Sequence, residues 1–152
     1  MNLKLKNWLI SLAIVSPLVS AEGLVNVYKD PNCGCCSAWV DHMVSKGFEI
    51  KSHNTQNMTA VKAMYGVDAS VSSCHTGITE GGYVVEGHVP ARYLEQFLAN
   101  PPEGAIGLSV PAMPVGTPGM EMGDRFDPYQ VVTIMKDGQH QVFAEVNSAQ
   151  QQ

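Results

Sequence analysis

Three of the four cysteines in the chain, Cys33, Cys35 and Cys36, lie within four positions of one another. The Cys-x-x-Cys spacing of Cys33 and Cys36 is typical of redox-active dithiols. Cys35 is an additional thiol between them, which a simple dithiol does not need. Because at most one of the three can pair with the distant Cys74, we predict thiol or metal chemistry here, rather than a set of structural disulfides.

The five histidines differ in how well their positions suit metal binding. His75 directly follows the fourth cysteine, and His88 lies in a turn before a helix. Either could be a ligand, or could orient the thiolates by hydrogen bonds without contacting the ion. His53 ends a strand near the cysteines, and its role stays open. His42 and His140 are expected to be solvated, on an exposed helix position and in a hairpin.

Apart from Met1, the methionines divide into two groups. On helix or strand patterns a methionine most simply fills the core, and this is expected of Met43, Met58, Met64 and Met135. In a segment rich in Pro and Gly there is little core to fill, so ligation and loop packing are both open for Met113, Met120 and Met122.

Residues 1–21 have the pattern of an export signal that is removed from the mature protein. Lys4 and Lys6 form a basic start, Trp8 to Val19 is an apolar run, and small residues precede a cleavage site expected after Ala21. The run is shorter than the roughly 20 residues that span a bilayer, so we expect no stable membrane insertion. Export would place the cysteines in an oxidising compartment.

Residues 22–152 are of a length typical of one domain, which we expect them to form. The whole chain has 9 basic and 14 acidic side chains and a net charge of −5, and two of the lysines lie in the leader. The mature chain is therefore more acidic still. This charge excludes nucleic acid as an expected partner and suits a protein that meets cations.

The elements that must position the cysteines begin with a strand at residues 24–28 and a turn at 30–32. The periodicity predicts a helix that begins at Cys35 and ends before Gly47, and a strand at 48–53. A short helix through Tyr65 follows, with Asn57 as its cap. This order implies a parallel βαβ unit with a right-handed crossover. The cysteines would then lie at the carboxyl end of the first strand, beside a helix amino terminus that favours thiolate.

The second half has weaker patterns. Residues 71–76 have the character of a loop, 82–86 of a short strand, and 90–99 of a helix with one apolar face. Residues 101–128, rich in Pro, Gly and Met, are expected to be one long, ordered functional loop. Two strand-like runs, 129–136 and 139–146, flank Asp137-Gly138 and predict an antiparallel hairpin.

Together these elements resemble an α/β fold with a thioredoxin-like βαβ core, a C-terminal antiparallel hairpin and a long Pro/Gly/Met-rich loop. The segments DPNCGCC, SCHTG, YVVEGHVPA and VPAMPVGTPGME, in this order, resemble the CopG-type family of periplasmic copper-resistance proteins. The resemblance implies a periplasmic protein that binds copper ions through cysteine thiolates. It also makes other periplasmic copper-handling proteins candidate partners.

Carried over to this chain, the resemblance implies a copper site formed by Cys33, Cys35, Cys36 and Cys74. It adds His75, His88 and the methionines of the late loop, Met113 and Met120 among them, as neighbours or further ligands. Cu(I) is soft and favours thiolate, thioether and imidazole, all of which this chain offers.

On a helix Cys33 and Cys36 would share a face while Cys35 points aside. A mononuclear site would then leave Cys35 poorly used, so we hypothesise that thiolates bridge more than one copper ion. Thiols that admit both Cu(I) and Cu(II) could also change the oxidation state of copper, which would make the protein a copper oxidoreductase. The sequence does not establish turnover.

Three other interpretations stay open. Zinc is a competing metal, although structural zinc sites usually pair two knuckles, whereas these thiols are divided three and one. A thiol-disulfide oxidoreductase would use Cys33 as nucleophile and Cys36 as resolving thiol. A metal-free domain held by a Cys36–Cys74 disulfide would leave the other two cysteines unexplained.

Overall fold

The computed structural model describes residues 22–152, which form seven β-strands and three α-helices. The strands are β1 (Glu22–Lys29), β2 (Phe48–Asn54), β3 (Thr76–Thr79), β4 (Val84–Glu86), β5 (Ala105–Ser109), β6 (Tyr129–Met135) and β7 (His140–Val146). The helices are α1 (Gly34–Ser45), α2 (Met58–Met64) and α3 (Ala91–Ala99). None of the helices in this range has the length and apolar character needed to cross a membrane. The predicted leader and its cleavage site lie outside the described residues.

The seven strands form one mixed sheet in the order β2-β1-β3-β4-β5-β6-β7. The pairs β1/β2 and β4/β5 are parallel. The other four neighbouring pairs are antiparallel, so the sheet is mostly antiparallel. The fold is therefore a mixed α/β architecture.

The predicted N-terminal unit is confirmed, because α1 connects the parallel strands β1 and β2. The helix ends follow the expected local signals. The Asn57 side chain accepts a hydrogen bond from the Ala60 N–H at 3.2 Å and caps α2. Gly47 and Gly66, which follow the C-terminal ends of α1 and α2, have φ of 97° and 72°, a region that glycine enters without strain.

The C-terminal hairpin is also confirmed, since β6 and β7 pair antiparallel. The expectation of one long loop over residues 101–128 is wrong in part, because β5 lies within it and joins β4 to β6. At Gly107 in β5, a Cβ atom would come within 2.1 Å of the Val84 carbonyl oxygen in β4. The two strands approach so closely because residue 107 has no side chain.

The larger core lies between one face of the sheet and helices α1 and α3. Trp39 and Met43 of α1 and Leu94 and Phe97 of α3 are completely buried there. A smaller apolar cluster, which includes Val71 and residues of β3, β4 and β6, packs on the other side. Of the methionines expected in the core, Met43 is buried, but Met64 is 75% exposed. That expectation was wrong for Met64, because it occupies the solvent side of the short helix α2.

Candidate metal centre

The Cys33 side chain caps the amino terminus of α1, directly after the turn that ends β1. In this turn the Asn32 N–H donates to Asp30 Oδ1 at 2.7 Å, and the Cys33 N–H donates to the Asp30 carbonyl at 3.1 Å. Cys33 then has extended backbone angles, and its sulfur accepts a hydrogen bond from the Cys36 N–H at 3.3 Å. The helix amino terminus therefore faces a sulfur atom, which favours the thiolate when the disulfide is open.

The structure brings all four cysteines together, and their Sγ atoms lie within 4.8 Å of one another. Cys33 and Cys36 form a disulfide, with their Cα atoms 5.3 Å apart. Cys35 and Cys74 are the cysteines outside a disulfide in the described part of the chain. The suggested Cys36–Cys74 disulfide is therefore not the one formed.

Cys35 does not point aside, contrary to the helical-wheel expectation. Its Sγ lies 3.5 Å from Cys33 Sγ. The expectation treated Cys33 as a helical residue, whereas Cys33 is the N-cap, with φ −76° and ψ 95°, and α1 begins at Gly34. Cys33 therefore does not follow the helical rotation of about 100° per residue, and its sulfur can contact both Cys35 and Cys36.

Cys74 reaches the group from the segment before β3, which a buried carboxylate holds in place. Glu86 of β4 is completely buried. It accepts hydrogen bonds from the Ser73 N–H at 2.7 Å and from Thr76 Oγ1 at 2.6 Å, and Lys62 of α2 forms an ion pair with it. Our sequence reasoning did not single out Lys62 or Glu86, since the two lie 24 residues apart with no motif to connect them.

His75 and His88 both contact the sulfur of Cys74 and are completely buried. His88 Nε2 lies 3.0 Å from Cys74 Sγ, and its other ring nitrogen, Nδ1, donates to the Pro118 carbonyl at 2.8 Å. His75 Nδ1 lies 3.3 Å from the same sulfur. Each histidine can thus supply one nitrogen to an ion bound at Cys74, and the three donor atoms lie within 4.8 Å of one another.

Trp39 of α1 packs against the imidazole of His75. Its ring lies 4.4 Å from that of His75, centroid to centroid, and its indole N–H donates to the Val89 carbonyl at 2.9 Å. The second contact connects α1 to the residue that follows His88. The histidines are therefore held between rigid elements before any ion arrives.

Burial sets the protonation of these donors. Burial is the main cause that raises the pKa of Cys74 to about 12, and the nearby Cys35 thiol is the second cause. Burial is also the main cause that lowers the pKa of His75 well below its ordinary value, and the proximity of His88 is the second cause. The pKa of His88 is likewise lowered by burial. Without a metal, Cys74 keeps its proton and both imidazoles are neutral near pH 7, and a bound cation would displace that proton.

The late loop covers the start of α1. A Cβ atom on Gly119 would lie 2.7 Å from the Cys35 carbonyl oxygen and 2.7 Å from the Trp39 nitrogen. Met120 follows and is half-buried, whereas Met113 and Met122 are 50% and 52% exposed. The loop thus lies beside the cysteines, while ligation by any of its methionines stays a prediction.

The other histidines take no part in these donor groups. His53 Nε2 lies 2.9 Å from Asn26 Oδ1, and His140 is exposed. His42 is not solvated as expected, because its Nε2 accepts a hydrogen bond from the Ala91 N–H at 3.2 Å. It supplies the side-chain cap of α3 that the N-cap residue Pro90 does not provide.

Four thiols and two imidazoles form a donor set for a soft or borderline cation such as Cu(I) or Zn²⁺. In the sequence, three thiols are clustered and the fourth is distant, which argued against a zinc site. Since all four sulfurs converge in the fold, that argument no longer holds. The methionine thioethers next to the group would favour Cu(I) if they contributed. The donor set alone therefore does not identify the metal.

Comparisons with known proteins bear on this question. A family described as "Protein of unknown function, DUF411" matches residues 71–120, which include Cys74, His75 and His88. No curated protein matches the chain. A solved structure titled "Copper resistance protein copG- Form 1" is 45% identical, with a TM-score of 0.77 over 84% of this chain and 99% of that one. The corresponding Form 2 is 44% identical, with a TM-score of 0.76 over 83% and 99%.

Proposed function

Because the chain belongs to the family of the CopG copper resistance proteins, we propose that it binds copper through Cys33, Cys35, Cys36 and Cys74 in copper resistance. The observation that carries this proposal is the convergence of four Sγ atoms within 4.8 Å. Thiolates are preferred ligands of Cu(I), and sulfurs so close together can be shared between ions. We therefore propose that the reduced protein holds more than one copper ion.

The pair Cys33 and Cys36 gives the site a source of electrons. When the two thiolates form their disulfide, they release two electrons, which reduce two Cu(II) ions to two Cu(I) ions. Opening of the disulfide by two Cu(I) ions is the reverse reaction. The remaining donors, Cys35, Cys74 and the two histidines, would keep the ions next to the reacting sulfurs. On this proposal the protein is a copper oxidoreductase.

Anaerobic titration of the reduced protein with Cu(I), followed by metal analysis, tests the cluster. We expect more than one copper per chain, and at least one ion fewer in Cys35→Ser because a bridging sulfur is lost. Ser37→Ala is the matched control, since Ser37 is exposed in the first turn of α1 and has no thiol. One copper per chain, or an unchanged count in Cys35→Ser, would contradict the cluster.

The fold supports a related assignment. We propose that β1, α1, β2, α2, β3, β4 and α3 form a thioredoxin-like core, to which β5, the late loop and the hairpin are additions. The strand order β2-β1-β3-β4, with β1 and β2 parallel, supports it. In an open α/β sheet, ligands usually bind at the carboxyl ends of the strands, which is where Cys33 lies.

A thiol-disulfide oxidoreductase is the second candidate, and the Cys33–Cys36 disulfide favours it. Cys33 is half-buried and Cys36 completely buried, as expected of an attacking and a resolving thiol. Reduction of a disulfide substrate by the metal-free protein, with rates unchanged in Cys35→Ser and Cys74→Ser, would support this activity. Loss of activity in either variant would argue for the copper function.

We also place the mature protein in the periplasm, where other copper-handling proteins would be its partners. Neighbours that are copper resistance proteins and the export signal in the sequence support this location. Mass spectrometry of the protein from a periplasmic fraction tests it. An amino terminus at Glu22 would agree with the cleavage expected after Ala21.

A further inference from the structure

The two donor groups of the site respond differently to the Cys33–Cys36 disulfide. Closing this disulfide removes two of the four thiolates as ligands. The second group, Cys74, His75 and His88, does not include either sulfur, and it is intact in the present structure with the disulfide closed. The oxidised protein therefore has a complete set of three donors around one sulfur.

We propose that the protein with a closed Cys33–Cys36 disulfide binds one copper ion at Cys74, His75 and His88. This inference rests on the proposed copper function and adds to it a second binding mode, with one sulfur and two nitrogens. Binding needs no electron transfer, because the ion takes the place of the Cys74 thiol proton, which leaves to solvent. Copper would then be retained, in smaller number, after the dithiol is oxidised.

His88 is already oriented for this role. Its Nδ1 donates to the Pro118 carbonyl at 2.8 Å, which fixes the tautomer in which Nε2 carries a lone pair. That Nε2 atom is the one that lies 3.0 Å from Cys74 Sγ. A ligating histidine typically donates its second ring N–H to a carbonyl or carboxylate in this way.

His75 supplies the third donor from a completely buried position. Its Nδ1 lies 3.3 Å from Cys74 Sγ, and its Nε2 has no hydrogen-bond partner within the described part of the chain. Nδ1 is therefore the nitrogen that faces the ion position, and coordination through it leaves the ring proton on Nε2. The Trp39 ring, 4.4 Å from that of His75 between centroids, packs against the imidazole in this orientation.

One thiolate with two imidazoles differs chemically from a group of bridging thiolates. Cys-His₂ sets bind copper in both of its common oxidation states and hold a single ion in trigonal geometry. Four converging thiolates instead favour Cu(I). The oxidised protein can accordingly keep copper whichever oxidation state the dithiol reaction leaves it in.

The test uses the Cys35→Ser protein with its Cys33–Cys36 disulfide closed, as verified by counting one free thiol per chain. Cys74 is then the one available thiol, so copper cannot form a second disulfide within the chain. Cu(I) is added anaerobically against a chelator of known affinity, and the thiol count is repeated after copper removal to show that Cu(I) has not opened the disulfide. We expect one copper per chain, and X-ray absorption should show one sulfur and two nitrogen neighbours.

Two further variants locate the ion. His88→Asn keeps a side-chain N–H for the Pro118 carbonyl but removes the ligating nitrogen, so we expect at least about tenfold weaker binding. The exposed His140→Asn is the matched control and should bind as its parent does. Melting of the copper-free proteins shows whether each variant is folded. Unchanged affinity in a folded His88→Asn, or a copper environment with only sulfur neighbours, would overturn the inference.

The same titration separates this inference from the copper function itself. If the reduced protein binds several copper ions and the oxidised Cys35→Ser protein binds none, the second binding mode is wrong and the copper function stands. If neither form binds copper, both are wrong.

Discussion

Glu86 is the buried charge on which the position of Cys74 depends. Its carboxylate is completely buried and receives three donors: the Lys62 ammonium, the Ser73 N–H and the Thr76 hydroxyl. Two of these donors lie on either side of Cys74 in the sequence. The ion pair therefore connects α2 and β4 to the segment that carries the fourth thiol, and Glu86 acts as a positioning residue.

Lys62→Met should lower the free energy of unfolding of the copper-free protein by about 3–5 kcal/mol, because it leaves Glu86 buried without its countercharge. In Lys62→Met/Glu86→Gln the unpaired charge is also removed, so the double variant should be more stable than Lys62→Met alone. Urea unfolding measures the parent protein, Lys62→Met, Glu86→Gln and the double variant. Lys51→Met, at an exposed position of β2, is the control and should change stability by less than about 0.5 kcal/mol. If the losses of stability in the two single variants simply add up to the loss in the double variant, Lys62 and Glu86 are not coupled.

At the scale of single residues, the sequence predicted which thiols matter better than it predicted how they are arranged. Cysteine chemistry identified Cys33, Cys35, Cys36 and Cys74 as a set, and they converge. The direction of Cys35 was wrong because it depends on where α1 begins. Glu86 could not have been found, since an isolated Glu in the sequence does not reveal that it is buried or that a lysine faces it.

The segment from Pro114 to Gly119 is the element that joins His88 to α1. The Pro118 carbonyl accepts from His88, and Gly119 packs on the backbone of Cys35 and Trp39. With φ at +85°, Gly119 also has a backbone conformation that other residues rarely adopt. The loop can therefore hold His88 in place only while position 119 has no side chain.

Gly119→Ala and Gly123→Ala separate the effect of packing from that of backbone strain. Both glycines have positive φ, so both variants should lose about 1–2 kcal/mol from strain. A Cβ atom at Gly123 would meet nothing within 4 Å, whereas at Gly119 it meets α1 at 2.7 Å. Overpacking should therefore cost Gly119→Ala a further 1–3 kcal/mol or so.

Urea unfolding and copper affinity provide the measurements for both glycine variants. We expect weaker copper binding in Gly119→Ala alone, because a displaced Pro118 no longer orients His88. Equal losses of stability and of affinity in the two variants would show that the loop does not position the site.

Among the elements, those with strong periodic patterns or turn signals were predicted, and so were the short elements α2 and β4, whereas β3 and β5 were not. α1, α3 and the β6–β7 hairpin have clear patterns, and their positions agree with the sequence. β3 and β5 have four and five residues, too few for a period to be visible. They become strands because neighbouring strands supply their hydrogen bonds, and this is information that a local pattern does not contain.

At the scale of the whole molecule, the donors come from parts of the chain that only the fold brings together. Cys33, Cys35 and Cys36 are local and can bind copper even in an unfolded chain. Cys74, His75 and His88 join them through the pairing of β1 with β3 and of β3 with β4. Copper that uses both groups therefore stabilises the folded state over the unfolded one.

Copper should consequently raise the stability of the reduced protein by up to about 2.7 kcal/mol for each bound ion at a free Cu(I) concentration of 100 times Kd. The rise will fall short of this limit to the extent that the unfolded chain binds copper at its local cysteines. Anaerobic thermal unfolding with and without a copper chelator measures this rise in stability.

The Cys74→Ser variant tests whether the donors supplied by the fold take part. Copper should stabilise this variant much less, because its remaining cysteines are close in sequence and can bind copper in the unfolded chain as well. Each variant is compared with its own copper-free form. An equal rise in Cys74→Ser would mean that copper binds to the local cysteines alone, without the donors that the fold provides.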